Sequence, residues 1–167
     1  MTFTLIGMPG CGKSCMGKAL AAKLKMKFID GDRLIEEKTG KKLFEIINEV
    51  GTEGFKKIEE ETLLSINDDN AIIAPGGSAV YYDVAMQHFK KIGKVVYLYV
   101  GYELIKQRLG DYSKRGVVLK DGQTLFDLYE ERKKLFEKYA DIVLNCNGMT
   151  YSEFQTNAVD VMSKYIK

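Results

Sequence analysis

Several features that define other classes of protein are scarce or missing from this sequence of 167 residues. No apolar run approaches the ~20 residues that a bilayer-spanning helix needs, and the longest, residues 95–100, has the length of a strand. Three cysteines do not make a disulfide framework. A single histidine and no CxxC pair leave a structural zinc site without ligands. Without a secretion signal at the amino terminus, we expect a reduced, cytoplasmic protein with no membrane partner.

Excess charge of one sign is also missing. Lysine and arginine number 25 against 23 aspartates and glutamates, which leaves a net charge of +2. A balance so close to neutral argues against a nucleic-acid partner bound by bulk electrostatics. The 46% hydrophobic and 29% charged residues are typical of a folded domain. At roughly 100–200 residues per domain, the chain is expected to be one domain over residues 1–167.

Short apolar runs alternate with longer segments of helical spacing. The runs are residues 3–6, 27–29, 71–74, 95–100 and 141–144. Near-continuous apolar strands separated by helices predict a parallel sheet covered on both faces. Glycines at 40, 51 and 54 interrupt a long helical stretch, so residues 42–66 are predicted to form two helices. The polar, glycine-bearing segment at about 111–123 is irregular, and a loop of that length is functional or disordered.

The strongest signal is a phosphate loop at residues 7–14, which fits the pattern G-x-x-x-x-G-K-[ST] between a strand and a helix. Glycines let the backbone turn its amides around an anion, and the helix amino terminus adds positive charge. Lys13 is expected to reach the β- and γ-phosphates of ATP, and Ser14 to bind Mg²⁺. The predicted ATP-binding residues here are Gly10, Cys11, Gly12, Lys13, Ser14 and Cys15.

The class of phosphate-loop protein can be narrowed from what the chain omits. An Asn/Thr-Lys-x-Asp motif, which reads guanine in regulatory GTPases, does not occur. A motor or helicase would need a far longer chain. The size instead suits a small phosphotransferase, in which ATP and a small acceptor share one cleft.

Two strand ends are candidates for the acceptor side, because strand carboxyl ends face the ligand crevice in open α/β sheets. Asp30 and Asp32 follow the second strand. Asp30 could hold Mg²⁺ and Asp32 could take the acceptor's proton; alternatively they form an Asp-Gly turn with Asp32 as a helix cap. Gly76 and Gly77 end the third strand. Backbone without side chains could let a ligand approach the amides closely there; alternatively, the two glycines form a plain turn.

Arg132 lies in the middle of an apolar stripe along the helical segment 124–140. A core-facing guanidinium needs an anionic partner. That partner is either an internal carboxylate, such as Asp30 or Glu59, or a bound carboxylate or phosphate. Glu59 sits on a similar stripe, where Lys56 could pair with it.

The cations Arg108 and 114–115 lie in or beside the irregular loop and are candidate phosphate clamps. A solvated basic loop is the alternative. Tyr81 and Tyr82 are interpreted as packing residues.

These motifs, in this order, resemble the shikimate kinase family, phosphate-loop kinases related in fold to nucleoside monophosphate kinases. Besides the loop, the matching elements are Phe28 to Glu36, Gly51 through Phe55 to Glu59, Gly76-Gly77-Ser78, Arg108, Arg115 and Arg132 to Phe136. The resemblance implies a three-layer fold with five parallel strands in the order 2-3-1-4-5, helices on both faces and a mobile lid at about 111–123.

The resemblance also implies roles. Asp32, Gly76, Gly77 and Arg132 would hold shikimate, and Lys56 stands where the family has a substrate-binding arginine. Lys13 and Arg115 would stabilise the moving phosphoryl group. Ser14 and Asp30 would serve Mg²⁺, and Arg108 would lie beside the adenine.

Three departures fall on the acceptor side or the lid: Lys56 for arginine, Ser78 for a third glycine, and Arg115-Gly116-Val117-Val118 in the lid. The expected activity is ATP-dependent phosphorylation of a hydroxyl of a small carboxylic acid, shikimate above all, by a monomer. The alternatives are a sister kinase for another hydroxy acid and a nucleotide-binding module without catalysis.

Overall fold

The fold is that of a computed structural model, which describes residues 1–112, 117 and 119–166. Five parallel strands form one sheet in the order β2-β3-β1-β4-β5. Their bounds are β1 Thr2–Ile6, β2 Lys27–Asp30, β3 Ala71–Ala74, β4 Gly93–Tyr99 and β5 Ile142–Asn145. Both the predicted sheet and the strand order are confirmed. The strand bounds move by at most two residues from those predicted.

Burial explains why the strands read as continuous apolar runs. Every residue of β1 and β3, in the middle of the sheet, is buried. Such strands are covered on both faces, so side chains of either orientation must be compatible with the core. At the sheet edge, β5 alternates instead, and Val143 is 57% exposed.

Seven helices cover the sheet in the described part of the chain: α1 Lys13–Leu24, α2 Gly31–Thr39, α3 Leu43–Leu64, α4 Asp83–Ile92, α5 Tyr102–Leu109, α6 Leu125–Tyr139 and α7 Tyr151–Ser163. A 3₁₀ helix, Ala79–Tyr81, joins β3 to α4. Leu20 of α1, Phe89 of α4 and Phe136 of α6 are almost completely buried, so helices on different sides share one core. None of the described helices has the length and apolar character to span a membrane.

The helix α3 contains the break that its glycines predicted. Gly51 has φ 75° and ψ 175°, which is not helical. Positive φ is readily available only to glycine, so the chain can change direction there without strain. The prediction of two helical segments between residues 42 and 66 is confirmed.

The helix α6 begins with a capping box in which the Thr124 hydroxyl accepts a hydrogen bond from the Asp127 backbone N–H. Its buried face carries the predicted stripe, Leu125, Leu128, Tyr129, Phe136 and Tyr139. Arg132 lies in the middle of this sequence of buried residues and is itself half-buried.

The predicted lid connects α5 to α6. Helix α5 ends before Gly110, and α6 begins at Leu125. Residues 113–116 and 118 lie outside the described part of the chain, and Arg115 is among them. The lid and the role of Arg115 therefore stay predictions.

Candidate active site

The phosphate loop joins the carboxyl end of β1 to the amino end of α1. Gly10 and Gly12 have φ of 82° and 94°, a backbone region that side chains disfavour. Helix α1 begins without a side-chain cap and without an acidic residue in its first turn. Its first N–H groups thus have no capping side chain, and the positive end of the helix dipole is not neutralised locally. This is the arrangement that binds phosphate.

Lys13 lies within the curve of this loop. Its ammonium donates hydrogen bonds to the carbonyl oxygens of Gly7, at 2.6 Å, and Met8, at 3.1 Å. The lysine is half-buried, and its ammonium group is held against the loop. The loop motif therefore places a cation beside the position at which the amides would bind an anion.

The two cysteines of this region have different surroundings. Cys11 is buried and lies 3.8 Å from the Lys13 ammonium. Cys15 is exposed, and its sulfur lies 3.3 Å from the Tyr151 hydroxyl of α7. Both are next to the loop, as predicted, although only their backbone positions are needed for phosphate binding.

Ser14 and Asp30 form the candidate magnesium site. The Ser14 hydroxyl donates to Asp30 Oδ2 at 3.4 Å. The other Asp30 oxygen accepts from the Arg33 backbone N–H at 3.2 Å, which makes Asp30 the cap of α2. The suggestion that Asp32 caps this helix is therefore wrong: Asp32 already lies inside its first turn.

These two oxygen donors fit Mg²⁺. This ion prefers hard oxygen ligands and is commonly held by one or two side chains together with substrate phosphates and water. Among the described residues there is no cluster of three or more ligating side chains that could hold a metal without such help. The pair would thus serve a metal that arrives with a nucleotide.

Asp32 has an altered acidity. Burial raises the pKa of Asp32 from 3.8 to about 6, with further upward contributions from Asp30 and Glu59. The nearby Lys13 opposes this rise. Asp32 thus has the near-neutral pKa that suits a general base.

Gly76 and Gly77 lie between the candidate catalytic side chains. A Cβ atom on Gly76 would be 3.1 Å from Asp32 Oδ1 and 3.4 Å from Glu59 Oε2. One on Gly77 would be 3.1 Å from Arg132 Nη1 and 3.6 Å from Pro9 Cγ. The two glycines thus bring the acceptor-side charges next to the phosphate loop, which favours the ligand-binding interpretation over a plain turn.

Arg132 forms no ion pair within the described part of the chain, so neither Asp30 nor Glu59 is its internal partner. Its Nε atom is buried and has no hydrogen-bond partner among the described residues. The guanidinium carbon lies 5.5 Å from the centre of the Tyr81 ring. A buried donor without an acceptor is costly. Of the two partners that the sequence analysis offered for Arg132, an internal carboxylate or a bound anion, the structure favours the bound anion.

Glu59 is held by groups that the sequence did not indicate. This carboxylate is 2% exposed and accepts a hydrogen bond from the Ser78 hydroxyl at 2.9 Å. Tyr82 contacts it too: burial, followed by a hydrogen bond to Glu59, raises the pKa of Tyr82. The expected pairing with Lys56 is wrong, because Lys56 is exposed and lies 3.2 Å from Glu53 instead.

Arg108, in the last turn of α5, donates to the Gly10 carbonyl at 3.3 Å. It therefore lies at the outer side of the phosphate loop, as expected of a nucleotide-side cation. Of the predicted site residues in the described part of the chain, all but Lys56 are thus arranged around the loop or the glycines after β3. Ser78, Tyr81 and Tyr82 join them. Ser78 carried a signal as a departure from the family pattern, whereas the two tyrosines were interpreted as packing residues.

Comparisons with known proteins agree with this geometry. The model of the shikimate kinase family matches residues 9–163. A shikimate kinase of Clostridium botulinum is 39% identical over 150 residues, covering 89% of each chain. A shikimate kinase of Francisella tularensis subsp. novicida is 36% identical over 166 residues, covering 97% of this chain and 92% of the relative.

Solved structures give the same family. Shikimate kinase from Acinetobacter baumannii in complex with shikimate superposes with a TM-score of 0.83 at 30% identity, over 99% of this chain and 95% of that one. Shikimate kinase from Aquifex aeolicus superposes with a TM-score of 0.82 at 25% identity, over 99% of both. The chain belongs to the shikimate kinase family, as its motifs predicted.

Proposed function

We propose that this chain transfers the γ-phosphoryl group of ATP to the 3-hydroxyl of shikimate. The observation that carries the proposal is Arg132, a guanidinium without an ion pair in the described part of the chain, next to Gly77 and, through it, Pro9 of the phosphate loop. A planar guanidinium binds a carboxylate in bidentate geometry. An anion held there would place the rest of a small acceptor beside the loop.

The nucleotide half contributes positioning and charge. The uncapped amides at the start of α1 bind the phosphates. Lys13 exchanges its loop carbonyls for phosphate oxygens and stabilises the charge that shifts during transfer. Arg108 lies beside the adenine side of the loop.

Asp32 orients the acceptor hydroxyl and receives its proton. At neutral pH a carboxyl with a pKa of about 6 is ionised, yet basic enough to accept a proton as the new bond forms. Gly76 leaves open the space next to this carboxylate. The ring of the acceptor would thus be bounded by Asp32 at one end and Arg132 at the other.

Mg²⁺ would be held by Ser14, with Asp30 as a direct or water-mediated partner. When bound, the ion neutralises negative charge on the β- and γ-phosphates. Asp30 keeps its carboxylate in place by capping α2, so its free oxygen faces Ser14 without reorganisation.

The remaining parts of the proposal concern the lid, the oligomeric state and the cellular compartment. Residues at about 111–123 would close over ATP and acceptor, with Arg115 on the transferred group. The enzyme would act as a monomer. The three cysteines are free thiols, which suits the reducing cytoplasm.

An ADP-release assay over a panel of hydroxy acids tests the proposal, with the phosphorylated product identified by ³¹P NMR. Shikimate is expected to give the highest kcat/KM. The methyl ester of shikimate is the matched control, because it keeps the hydroxyls and removes the charge that Arg132 would bind. Absence of ATP-dependent product from every acid would contradict the proposal and favour a non-catalytic nucleotide-binding module.

One observation favours a second candidate, a sister kinase for a different hydroxy acid. Lys56 is at the surface with Glu53, and not in the site where the family has an arginine. The acceptor half thus contains fewer cations than its pattern predicts. A non-shikimate acid with the highest kcat/KM in the same panel would establish this alternative.

A further inference from the structure

The exposed side chain of Tyr81 lies next to Arg132. Tyr81 ends the 3₁₀ helix after β3, and it is 43% exposed. Its ring lies against the Arg132 guanidinium, with the guanidinium carbon 5.5 Å from the ring centre. Its hydroxyl donates a hydrogen bond of 2.8 Å to Glu131 Oε2. A tyrosine with both a cation on its ring and a carboxylate on its hydroxyl is fixed at two points.

Glu131 is itself tied to the base of the predicted lid. Its Oε1 lies 3.7 Å from the ammonium of Lys120. The hydrogen bond from Tyr81 is the main reason that the pKa of Glu131 is lowered. This carboxylate is therefore occupied on both oxygens, and it forms no ion pair with its sequence neighbour Arg132 in the described part of the chain.

We propose that Tyr81 is a positioning residue for the acceptor: its ring fixes the guanidinium plane of Arg132, and its hydroxyl holds Glu131 away from that guanidinium. The inference rests on the proposed function, in which Arg132 binds the acceptor carboxylate. A guanidinium free to rotate, or neutralised by Glu131, would bind a carboxylate less well. Tyr81 acts through Arg132 and does not touch the reacting atoms.

Steady-state kinetics with ATP and shikimate test the role. Tyr81→Leu removes the ring and is expected to raise the KM for shikimate about three- to tenfold, as loss of a cation–π contact at a partly exposed site predicts. The kcat and the KM for ATP are expected to stay within twofold of wild type. Tyr81→Phe keeps the ring but releases Glu131, so the KM for shikimate is expected to rise by less than it does in Tyr81→Leu. Tyr165→Leu, at an exposed tyrosine beyond α7, is the matched control with unchanged kinetics.

Two kinetic outcomes would overturn the inference. One is a KM for shikimate within twofold of wild type in Tyr81→Leu. The other is a parallel change in kcat and in both KM values, which indicates a general structural role. Should Tyr81→Leu not fold, Tyr81→Phe and Glu131→Ala replace it in the measurement below, which needs no ring deletion.

NMR of the arginine side chains gives a readout that needs no acceptor. The Arg132 Nε–H signal, assigned by its loss in Arg132→Lys, is expected to exchange slowly with water because this atom is buried. Tyr81→Phe and Glu131→Ala are expected to speed that exchange at least threefold, and unchanged exchange in both contradicts the inference. Failure to phosphorylate shikimate would refute the proposed function while this signal still decides whether Tyr81 positions Arg132.

Discussion

The nucleotide half of the site and the acceptor half are built in different ways. The nucleotide half uses mainly backbone amides and side chains of one short segment, held between β1 and α1, to which Asp30 and Arg108 are added. The acceptor half brings together side chains from α2, α3, the residues after β3 and α6. A local construction tolerates few substitutions, because each residue has a geometric role. A distributed one can exchange partners, because its contacts join segments that are far apart in the chain, as the hydrogen bond from Ser78 to Glu59 does.

The comparison predicts that changes in the nucleotide half act on the rate, and that changes in the acceptor half act mainly on affinity. Lys13→Ala is expected to have the largest effect. Removal of one preorganised charge from the transition state lowers kcat by about 10²–10³. The fold should persist, because among the described residues the lysine bonds only within its own loop, to two carbonyls and the Cys11 sulfur.

The matched control is Lys18→Ala, an exposed lysine farther along α1. It should leave kcat within twofold and the far-UV circular dichroism unchanged. A Lys13→Ala enzyme with normal circular dichroism and near-wild-type kcat would show that the loop is not the phosphate site.

Asp32→Asn comes next, because Asp32 links the two halves. We expect kcat to fall about 10²-fold or more, and kcat/KM of the wild type to fall as the pH drops below about 6, where Asp32 becomes protonated.

The substitution Asp32→Asn is also expected to stabilise the protein at neutral pH. Since the pKa of Asp32 is raised in the fold, the folded state binds more protons than the unfolded state between about pH 4 and pH 6, and the free energy of unfolding decreases as the pH rises through this window.

Thermal melts at several pH values check this sign. Asp32→Asn should have a higher Tm than the wild type at pH 7.5, corresponding to a gain in the free energy of unfolding on the order of 1 kcal/mol, and the difference should shrink towards pH 4. Asp160→Asn, an exposed change on α7, should show no such dependence. A lower Tm at pH 7.5 for Asp32→Asn would mean that its carboxylate is stabilised, not strained, by its surroundings.

The same division explains what the sequence could predict. The parallel sheet, the break at Gly51 and the phosphate loop follow from local patterns: apolar runs, a glycine and an eight-residue motif. The strand order is implied only by the resemblance to the family. The partners of Glu59 and Lys56 do not, because they depend on contacts between segments that are far apart in the chain. Ser78 is 19 residues from Glu59, and no periodicity links the two. Helical spacing suggested Lys56 for Glu59, yet Lys56 lies at the surface with Glu53, three residues before it.

The helix cap illustrates the limit at short range. The turn interpretation made Asp32 the cap of the following helix, whereas Asp30, two residues earlier, has that role. Helix α2 begins at Gly31, directly after β2, so Asp32 lies in its first turn and is not needed as a cap. An error of two residues in the start of a helix hardly changes the predicted fold, but it changes which carboxylate is predicted to face the site.

Arg132→Lys separates binding from stability in the acceptor half. The KM for shikimate should rise about 10- to 100-fold, since a planar two-point contact to a charged group becomes a point contact. Stability should change little, because Arg132 has no ion pair among the described residues to lose. Arg33→Lys, at a surface arginine paired with Glu37, is the matched control. Unfolding of Arg132→Lys with retained affinity in the remaining folded protein would make Arg132 a structural residue.

The smallest effect is expected from Lys56→Arg, which restores the cation type that the family has at this position. The pair of Lys56 with Glu53 is exposed, and such pairs contribute little, roughly 0–1 kcal/mol. Arginine can therefore leave Glu53 at low cost and reach the site with a planar fork. We expect the KM for shikimate to fall about two- to threefold, with kcat unchanged.

Ser78 is expected to limit the decrease in the KM for shikimate that Lys56→Arg produces. While its hydroxyl donates to Glu59 Oε1, it competes with an arriving guanidinium for this carboxylate. Ser78→Ala removes the competing donor, so Lys56→Arg should lower the KM more in the Ser78→Ala background than in the wild type, a coupling that a double-mutant cycle measures. Additive effects would show that residue 56 acts independently of Glu59. A higher KM for shikimate in Lys56→Arg, together with a preferred acid other than shikimate, would show that this half of the site has been rebuilt for a different acceptor.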